Sequence, residues 1–129
     1  MKYIGIDFGT KRVGVAISDE SGMFAFPKDI FTITNAEKNI VALCKKEVIS
    51  GIVIGESIAG NEAVNEVHEK VKRFADRLSK ATALPLFFQR EDFSSVEAHR
   101  FQTTAGARDD SAAAIILQRF LDKKKHIAL

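Results

Sequence analysis

The sequence has few of the features that would place it in an oxidising compartment or a membrane. Among its 129 residues one is cysteine, two are proline and none is tryptophan. The single Cys44 excludes an internal disulfide and has no Cys or His at metal-ligand spacing, so we predict that it packs in the core. No apolar run approaches the ~20 residues that span a bilayer, and no basic segment leads into an apolar one at the start. These absences predict a cytoplasmic protein with no membrane partner.

A large excess of charge of either sign is also absent. The formal net charge is +2, which permits an anionic partner but is far weaker than a strongly basic nucleic-acid footprint. What the chain has in quantity is apolar side chains, at 46% of residues, and this content argues against disorder. No Pro, Gly or Ser tract divides the chain, so we expect residues 1–129 to form a single domain.

Hydrophobic patterning predicts elements in the order β, β, β, α, β, α, β, α, α. Alternating apolar residues and short apolar runs bounded by turn residues indicate the strands, and helical periodicity indicates the helices. The third strand is expected to break near Pro27. The strands are predicted at residues 3–7, 13–17, 23–33, 51–55 and 84–88, and the helices at 35–48, 61–80, about 94–104, and from Asp109 or Asp110 onward.

Two capping boxes and one amphipathic stripe carry the helix predictions. Thr34 with Glu37, and Ser94 with Glu97, have the spacing in which the first side chain caps the helix start and the second reaches back to it. The stripe over residues 61–80 buries one apolar face and leaves a charged face outward. That outer face is predicted to carry two acid–base pairs four residues apart, Glu66 with Lys70 and Glu69 with Arg73.

The predicted order brings acidic residues from distant parts of the chain to one edge of a mixed sheet. The early hairpins are antiparallel, whereas the later strand–helix–strand crossovers require parallel pairing. If the first strand is central, the C-terminal ends of three strands meet at the edge where open α/β sheets bind ligands. Those ends carry Asp7, Glu56 and Glu91. The small residues at 112–114 would let the last helix bring its N-terminal Asp close to Asp7.

Clustered carboxylates suit a divalent metal site. They repel one another unless cations lie between them, and hard oxygen ligands favour Mg²⁺ or Mn²⁺. Two such ions ~3.5–4 Å apart promote hydrolysis of a phosphodiester. Each acid also has a structural role open to it: Asp7 can cap the Gly-Thr turn, and Glu91 can be a solvated loop residue. Asp109 or Asp110 can simply cap the last helix. Residue spacing alone leaves both interpretations open.

Three segments carry a more specific signal. Residues 5–19 begin with Gly-Ile-Asp-Phe-Gly-Thr-Lys-Arg, Glu91 is followed by Ser-Ser-Val-Glu-Ala from position 94, and Asp109 is followed by an apolar run from position 112. In this order they resemble the motifs of the YqgF/RuvX family, RNase H-like proteins described as Holliday junction resolvases and as pre-16S rRNA nucleases. The resemblance spans nearly the whole chain, and its first motif is the most specific.

The resemblance implies both a fold and an activity. The fold is α/β, an RNase H-like mixed five-stranded sheet with strand order 3-2-1-4-5, flanked by helices. The activity is that of a metal-dependent endonuclease in which Asp7, Glu91 and Asp109 are the catalytic carboxylates and bind Mg²⁺ or Mn²⁺, with two ions expected. Asp109 is preferred to Asp110 because counting back from residues 116–117 places it in register with the family's acid. Asp110 stays an additional candidate.

The sequence departs from the family at three places. Relatives carry a Gly-x-Pro segment after the fourth strand, and residues 55–60 lack it. Glu56 lies there and is a candidate fourth metal ligand, with a solvated loop acid as the equal alternative. Arg90 precedes the catalytic Glu where relatives have an Asp. The segment at 105–108 is short and offers only Arg108, where relatives often have a longer basic loop.

Substrate contacts are expected from cations close to the acids, which would hold phosphates without reading sequence. The substrate implied is the 5′ end of pre-16S rRNA, with branched DNA at a Holliday junction as the alternative, and the protein is expected as a monomer or homodimer. The nucleic-acid contacts are predicted at Lys11, Arg12, Arg90 and Arg108, with Arg100 and residues 123–125 as a possible extension.

Two other functions are compatible with parts of the sequence. Residues 7–10 also resemble the first phosphate loop of the actin, Hsp70 and sugar-kinase ATPases, but those proteins enclose a nucleotide between two such lobes and a chain of this length supplies one. A non-catalytic nucleic-acid-binding module would keep the fold and lose activity in the altered loops. Binding of a divalent ion through Asp7 separates the nuclease from that module.

Overall fold

The structure is a computed structural model that describes residues 1–9, 11–57, 62–91 and 109–127. Side chains are described at all of these positions except 56–57, 62–68, 90–91, 109–111 and 125–127. The elements are β1 (Tyr3–Phe8), β2 (Arg12–Ser18), β3 (Ala25–Thr32), α1 (Ile33–Lys46), β4 (Gly51–Ser57), α2 (Glu62–Thr82), β5 (Leu86–Glu91) and α3 (Asp109–Ile127).

The strands form one five-stranded sheet in the order β3-β2-β1-β4-β5. β1 pairs antiparallel with β2, and β2 with β3, whereas β1 pairs parallel with β4, and β4 with β5. The mixed sheet and its strand order are therefore as predicted. β1 lies at the centre because its hairpin partner occupies one side and the first crossover strand the other.

Alternation along the strands gives the sheet two apolar faces. One face packs against α1 and α2, and its buried side chains include Ile4, Ile6 and Ile54 together with Phe74 and Leu78 of α2. The other face packs against α3 alone among the described helices, through Tyr3, Ala16 and Val53 of the sheet and Ala113, Leu117 and Leu121 of the helix. The second face has small residues at its centre, so α3 lies close to the backbone of β1.

The third strand was predicted to break near Pro27, and the structure has a shift of register there but no interruption of the strand. β3 runs without a break from Ala25 to Thr32, and Pro27 lies directly opposite Ala16 of β2. A shift of register between Val15 and Ala16 accommodates it. β3 is an edge strand, where a residue without an N–H is tolerated because no further strand needs that donor.

The predicted capping box at the start of α1 is also absent. The helix begins at Ile33, and its N-cap is Thr32, whose side chain makes no capping hydrogen bond. The Ile33 N–H instead donates to the carbonyl of Lys11 in the β1–β2 turn, at 2.9 Å. Glu37 is not turned back to the helix start, because its Oε1 accepts from Nε of Arg77 on α2 at 2.6 Å.

The fourth and fifth strands extend further than the apolar pattern predicted. β4 continues to Ser57 and β5 to Glu91, with Ser57 opposite Glu91 in the parallel ladder. Each strand satisfies the other's backbone groups, so the ladder continues into polar residues. Glu56 therefore lies within β4 and not just past its end. The short helix predicted from residue 94 lies outside the described residues.

Cys44 packs in the core as predicted. Its side chain is buried on the inner face of α1, and burial raises the pKa of the thiol to about 11. A thiol of this kind stays protonated near neutral pH and is a poor nucleophile. Among the residues that the structure describes, no helix is long and apolar enough to cross a bilayer.

The turn after β2 makes the folding stability depend on pH. Hydrogen bonds from the Ser21 hydroxyl and from the N–H groups of Phe24 and Met23 lower the pKa of Asp19 from 3.8 to about 2. Because the folded protein holds the ionised form, the contribution of Asp19 to stability is present above pH 3.8 and is lost as pH falls towards 2. We expect Asp19→Asn to flatten the decline of the urea midpoint between pH 4 and 2, and an unchanged decline would contradict this role.

Candidate active site

The C-terminal end of β1 places Asp7 on the side of the sheet that α3 covers. Gly5, two residues earlier, faces α3, since a Cβ there would lie 2.6 Å from the Cβ of Leu117 and 3.0 Å from the carbonyl oxygen of Ala113. Side chains alternate along a strand, so Asp7 lies on the same face. Asp7 is half-buried and is paired in the ladder with Gly14 of β2.

The start of α3 lies level with Asp7. The ring of Tyr3 packs against the ring of Phe120, with centroids 5.5 Å apart, and Gly5 packs between Ala113 and Leu117. Moving forward along β1 therefore means moving backward along α3. A strand rises about 3.3 Å per residue and a helix 1.5 Å, so two strand residues equal about four helix residues. That step from Gly5 to Asp7 reaches the N-terminal turn of α3, which begins at Asp109.

β4 and β5 continue the same edge. Ile6 of β1 is opposite Ile54 of β4, so Asp7 is level with the next residue, Gly55, which in turn is opposite Gln89 of β5. Neighbouring strands lie about 4.8 Å apart, so the positions of Asp7 and Gln89 are about 10 Å apart. Glu91 is two residues further along β5. A separation of this size between Asp7 and Glu91 suits two carboxylates that share a pair of ions. It is too long for a direct contact between them.

Side chains two residues apart on a strand face the same side of the sheet, and this parity separates the candidate acids of β4 and β5. Phe87 faces α3, because its ring lies against that of Phe120 with centroids 5.1 Å apart, and Glu91 has the same parity as Phe87 along β5. Glu56 has the parity of Ile54, which belongs to the core on the α1 and α2 side. It lies directly opposite Arg90 in the ladder. The register therefore favours Glu91 over Glu56 as the neighbour of Asp7.

The cations of the β1–β2 turn flank the site. Lys11 and Arg12 are exposed, and the turn that carries them is tight, because a Cβ at Gly9 would lie 2.4 Å from the carbonyl oxygen of Arg12. Glycine is therefore required to bring the two cations next to the end of β1. Arg108 lies outside the described residues, and of Arg90 the structure gives the strand position alone.

The described side chains supply only part of the predicted metal site. Within that set no three His, Cys, Asp or Glu side chains come together at one point. Of the three predicted ligands Asp7 alone has a described side chain, and Glu91 and Asp109 are placed by the backbone at the end of β5 and the start of α3. A carboxylate at the end of a central strand, level with a helix start and beside two glycine positions, fits a hard, oxygen-seeking ion.

Gln89 is a buried polar residue at this edge that the sequence did not suggest. It is 4% exposed, within a strand whose other described side chains are Leu and Phe. A buried amide needs hydrogen-bond partners, and Gln89 has contacts within the protein. Its position level with Gly55 and Asp7 makes it part of the wall of the candidate site. The signal available in the sequence was its parity with Phe87, on the face that α3 covers.

Comparison of the sequence with protein families gives one consistent result. A family model described as RuvX, Holliday junction resolvase, matches residues 1–123. A protein of Lawsonia intracellularis that carries the name "Putative pre-16S rRNA nuclease" is 35% identical, over 97% of this chain and 96% of its own length. A protein of Rickettsia akari with the same name is 34% identical, over 96% and 88% of the two chains.

Solved structures resemble the fold at low sequence identity. T. thermophilus RuvC in complex with a Holliday junction substrate has a TM-score of 0.67 at 10% identity, covering 97% of this chain and 96% of that one. The fowlpox virus Holliday junction resolvase has a TM-score of 0.58 at 11% identity, covering 95% and 99%. At these identities the likeness establishes the fold alone, which is the RNase H-like architecture of RuvC.

Proposed function

This chain belongs to the RuvX family of nucleases, and we propose that it is a metal-dependent endonuclease whose catalytic carboxylates are Asp7, Glu91 and Asp109. The three residues come from β1, β5 and the start of α3. Asp110 and Glu56 are the additional acids near the same edge, and strand parity makes Glu56 the weaker of the two. We further propose that residues 1–129 act as one domain.

The packing of α3 on β1 is the observation that carries this proposal. The helix runs antiparallel to the strand and touches it at Gly5, so its first turn is level with Asp7. If α3 started away from Asp7, an Asp on its first turn would only cap the helix. Here the start of the helix backbone is level with the end of the strand, and carboxylates carried at these two positions would repel each other unless a cation joined them.

In this proposal, residues of this chain bind the metal ions, orient the substrate strand and neutralise its phosphates. Asp7, Glu91 and Asp109 would hold Mg²⁺ or Mn²⁺ through hard carboxylate oxygens. When bound, such ions supply Lewis acidity at the scissile phosphate. Lys11 and Arg12 lie next to Asp7 and would hold neighbouring phosphates of the substrate backbone, which orients the strand without reading its bases.

We propose the 5′ end of pre-16S rRNA as the substrate, which places the activity in ribosome biogenesis and in the cytoplasm. The names of the two relatives at about 35% identity support this choice. Branched DNA is the alternative, supported by the description of the family and by the junction complex of RuvC. Resolving a junction requires two cuts and so favours a homodimer, whereas trimming one RNA end requires one site and a monomer suffices.

Matched substrates distinguish these functions. A labelled RNA that spans the 5′ end of mature 16S rRNA and a four-way DNA junction would be incubated with the protein in Mn²⁺, with EDTA as the metal-free arm. We expect cleavage of the RNA, none of the junction, and none in EDTA. Cleavage of the junction alone would replace the RNA proposal with the resolvase, and binding of both substrates without cleavage of either would identify a non-catalytic module.

A further inference from the structure

A groove between α1 and α2 opens beside the end of β1. It has a volume of about 550 Å³, and we call it the α1–α2 groove. Lys70, Arg73 and Arg77 line it from one stripe of α2, at spacings of three and four residues. Phe8 and Phe74 form its apolar base, with ring centroids 5.1 Å apart. Phe8 directly follows Asp7 and by alternation points to the opposite face of the sheet, so the groove opens at the same end of β1 as the candidate active site but on the side of α1 and α2.

The charge of the groove is positive and largely uncompensated. Among the described residues that line it, Glu37 is the one acid, and its carboxylate pairs with Arg77; the side chain of Glu66, predicted to pair with Lys70, lies outside the described residues. Lys70 and Arg73 are exposed, and among the side chains that the structure describes neither has an ion-pair partner. The pair predicted between Glu69 and Arg73 is not formed. Two cations that face one cavity and pair with no described acid indicate a site for an anion.

The groove adjoins the β1–β2 turn at the start of α1. Ile33 lines the groove there, and its N–H donates to the carbonyl of Lys11 at 2.9 Å. Lys11 is exposed. A cation of the turn is therefore carried by backbone that borders the groove.

We propose that the α1–α2 groove holds the phosphodiester backbone of a substrate strand that passes over the C-terminal edge of the sheet to Asp7 on the opposite face, with Lys70 and Arg73 as its phosphate contacts. This inference rests on the proposed nuclease function and adds to it the path of the substrate. A row of cations along a groove matches the regular spacing of phosphates on one strand.

The test is a binding measurement that does not depend on cleavage. Fluorescence anisotropy with a labelled single-stranded RNA, in EDTA and over a range of KCl concentrations, would compare wild type with K70Q/R73Q. The matched control is K72Q/K80Q, because it removes two cations from exposed positions of the same helix that do not line the groove.

The groove variant should bind roughly tenfold more weakly near 0.1 M salt, and its salt slope should fall by about 1.4, since each lost phosphate contact on a single strand contributes ~0.7. The control should stay within about twofold of wild type. E37Q gives an effect of opposite sign: it removes the one acid and frees Arg77, so binding should tighten a few-fold while the fold is kept, because this ion pair is exposed and contributes little.

Three outcomes would contradict the proposed role of the α1–α2 groove. If K70Q/R73Q equals its control in affinity and salt slope while the wild type still cuts nucleic acid, the groove is not the substrate path and the nuclease function is left intact. A labelled poly-glutamate peptide that bound as tightly as RNA would replace the nucleic acid with an acidic protein partner. Wild type that neither bound nor cut RNA or junction DNA would overturn both proposals together.

Discussion

Replacing Asp7 with Asn should abolish cleavage while leaving the protein folded. The change removes one negative oxygen from a half-buried side chain and keeps its shape, so the core of the sheet is untouched. If Asp7 holds a divalent ion, the rate should fall roughly a thousandfold or more, which corresponds to about 4 kcal/mol of transition-state stabilisation. The measurement is single-turnover cleavage in Mn²⁺, with a thermal unfolding curve recorded on the same preparation.

Asp19→Asn is the matched control for this experiment. It makes the same acid-to-amide change at the turn after β2, at the opposite end of the hairpin from Asp7. Its activity at neutral pH should equal that of wild type. Calorimetric titration with Mn²⁺ adds a second readout, because the Asp7 variant should lose measurable binding and the Asp19 variant should keep it. A folded Asp7→Asn protein that still cleaved at the wild-type rate would exclude Asp7 from the site.

The centre of the fold could be predicted because local pattern and long-range pairing agree there. The run that ends at Asp7 and the alternating run after Arg12 are each short and strongly apolar, and the tight turn between them makes them neighbours in the sheet. The glycine-bounded run from Gly51 is apolar at every position, as a strand covered on both faces must be. These observations predict a mixed sheet with β1 at its centre, and the structure has that sheet.

The ends of the strands and helices could not be predicted, because contacts with residues distant in sequence decide them. Pro27 is tolerated within β3 because that strand is at the edge of the sheet, and the local pattern around Pro27 does not show whether the strand continues through it. Glu37 has the spacing of a capping box, but Arg77, forty residues away, is the stronger partner for its carboxylate. Glu56 and Glu91 are within strands because each strand satisfies the other's backbone groups.

The same reason explains why the α1–α2 groove was not predicted. On a helical projection Lys70 and Arg73 are ordinary outward cations with acids one turn before them, and that interpretation ignores what lies opposite α2. Only the packing of α1 beside α2, and of Phe8 beneath both, shows that these cations face a common cavity. Their spacing of three residues, followed by four residues to Arg77, was the one signal in the sequence.

The second large effect is expected at Gly5, which makes no contact with a substrate. Gly5→Ala should lower the cleavage rate about a hundredfold, a cost typical of moving a catalytic group by ~1 Å. The added Cβ would lie 2.6 Å from the Cβ of Leu117 and 3.0 Å from the carbonyl oxygen of Ala113. Neither atom can rotate away, since one is fixed to the helix backbone and the other belongs to it. The whole of α3 must therefore move outward, and the position of Asp109 moves with it.

Gly51→Ala separates this displacement from a general loss of stability. Its Cβ would lie 2.8 Å from the ring of Tyr3, at the end of the sheet away from Asp7, so overpacking should destabilise both variants by about 1–3 kcal/mol. Under conditions where both are fully folded, as judged by circular dichroism, Gly51→Ala should keep its cleavage rate and Gly5→Ala should lose it. Equal rates in the two variants would contradict the placement of the first turn of α3 beside Asp7, because then the distance between that helix and β1 would not matter for catalysis.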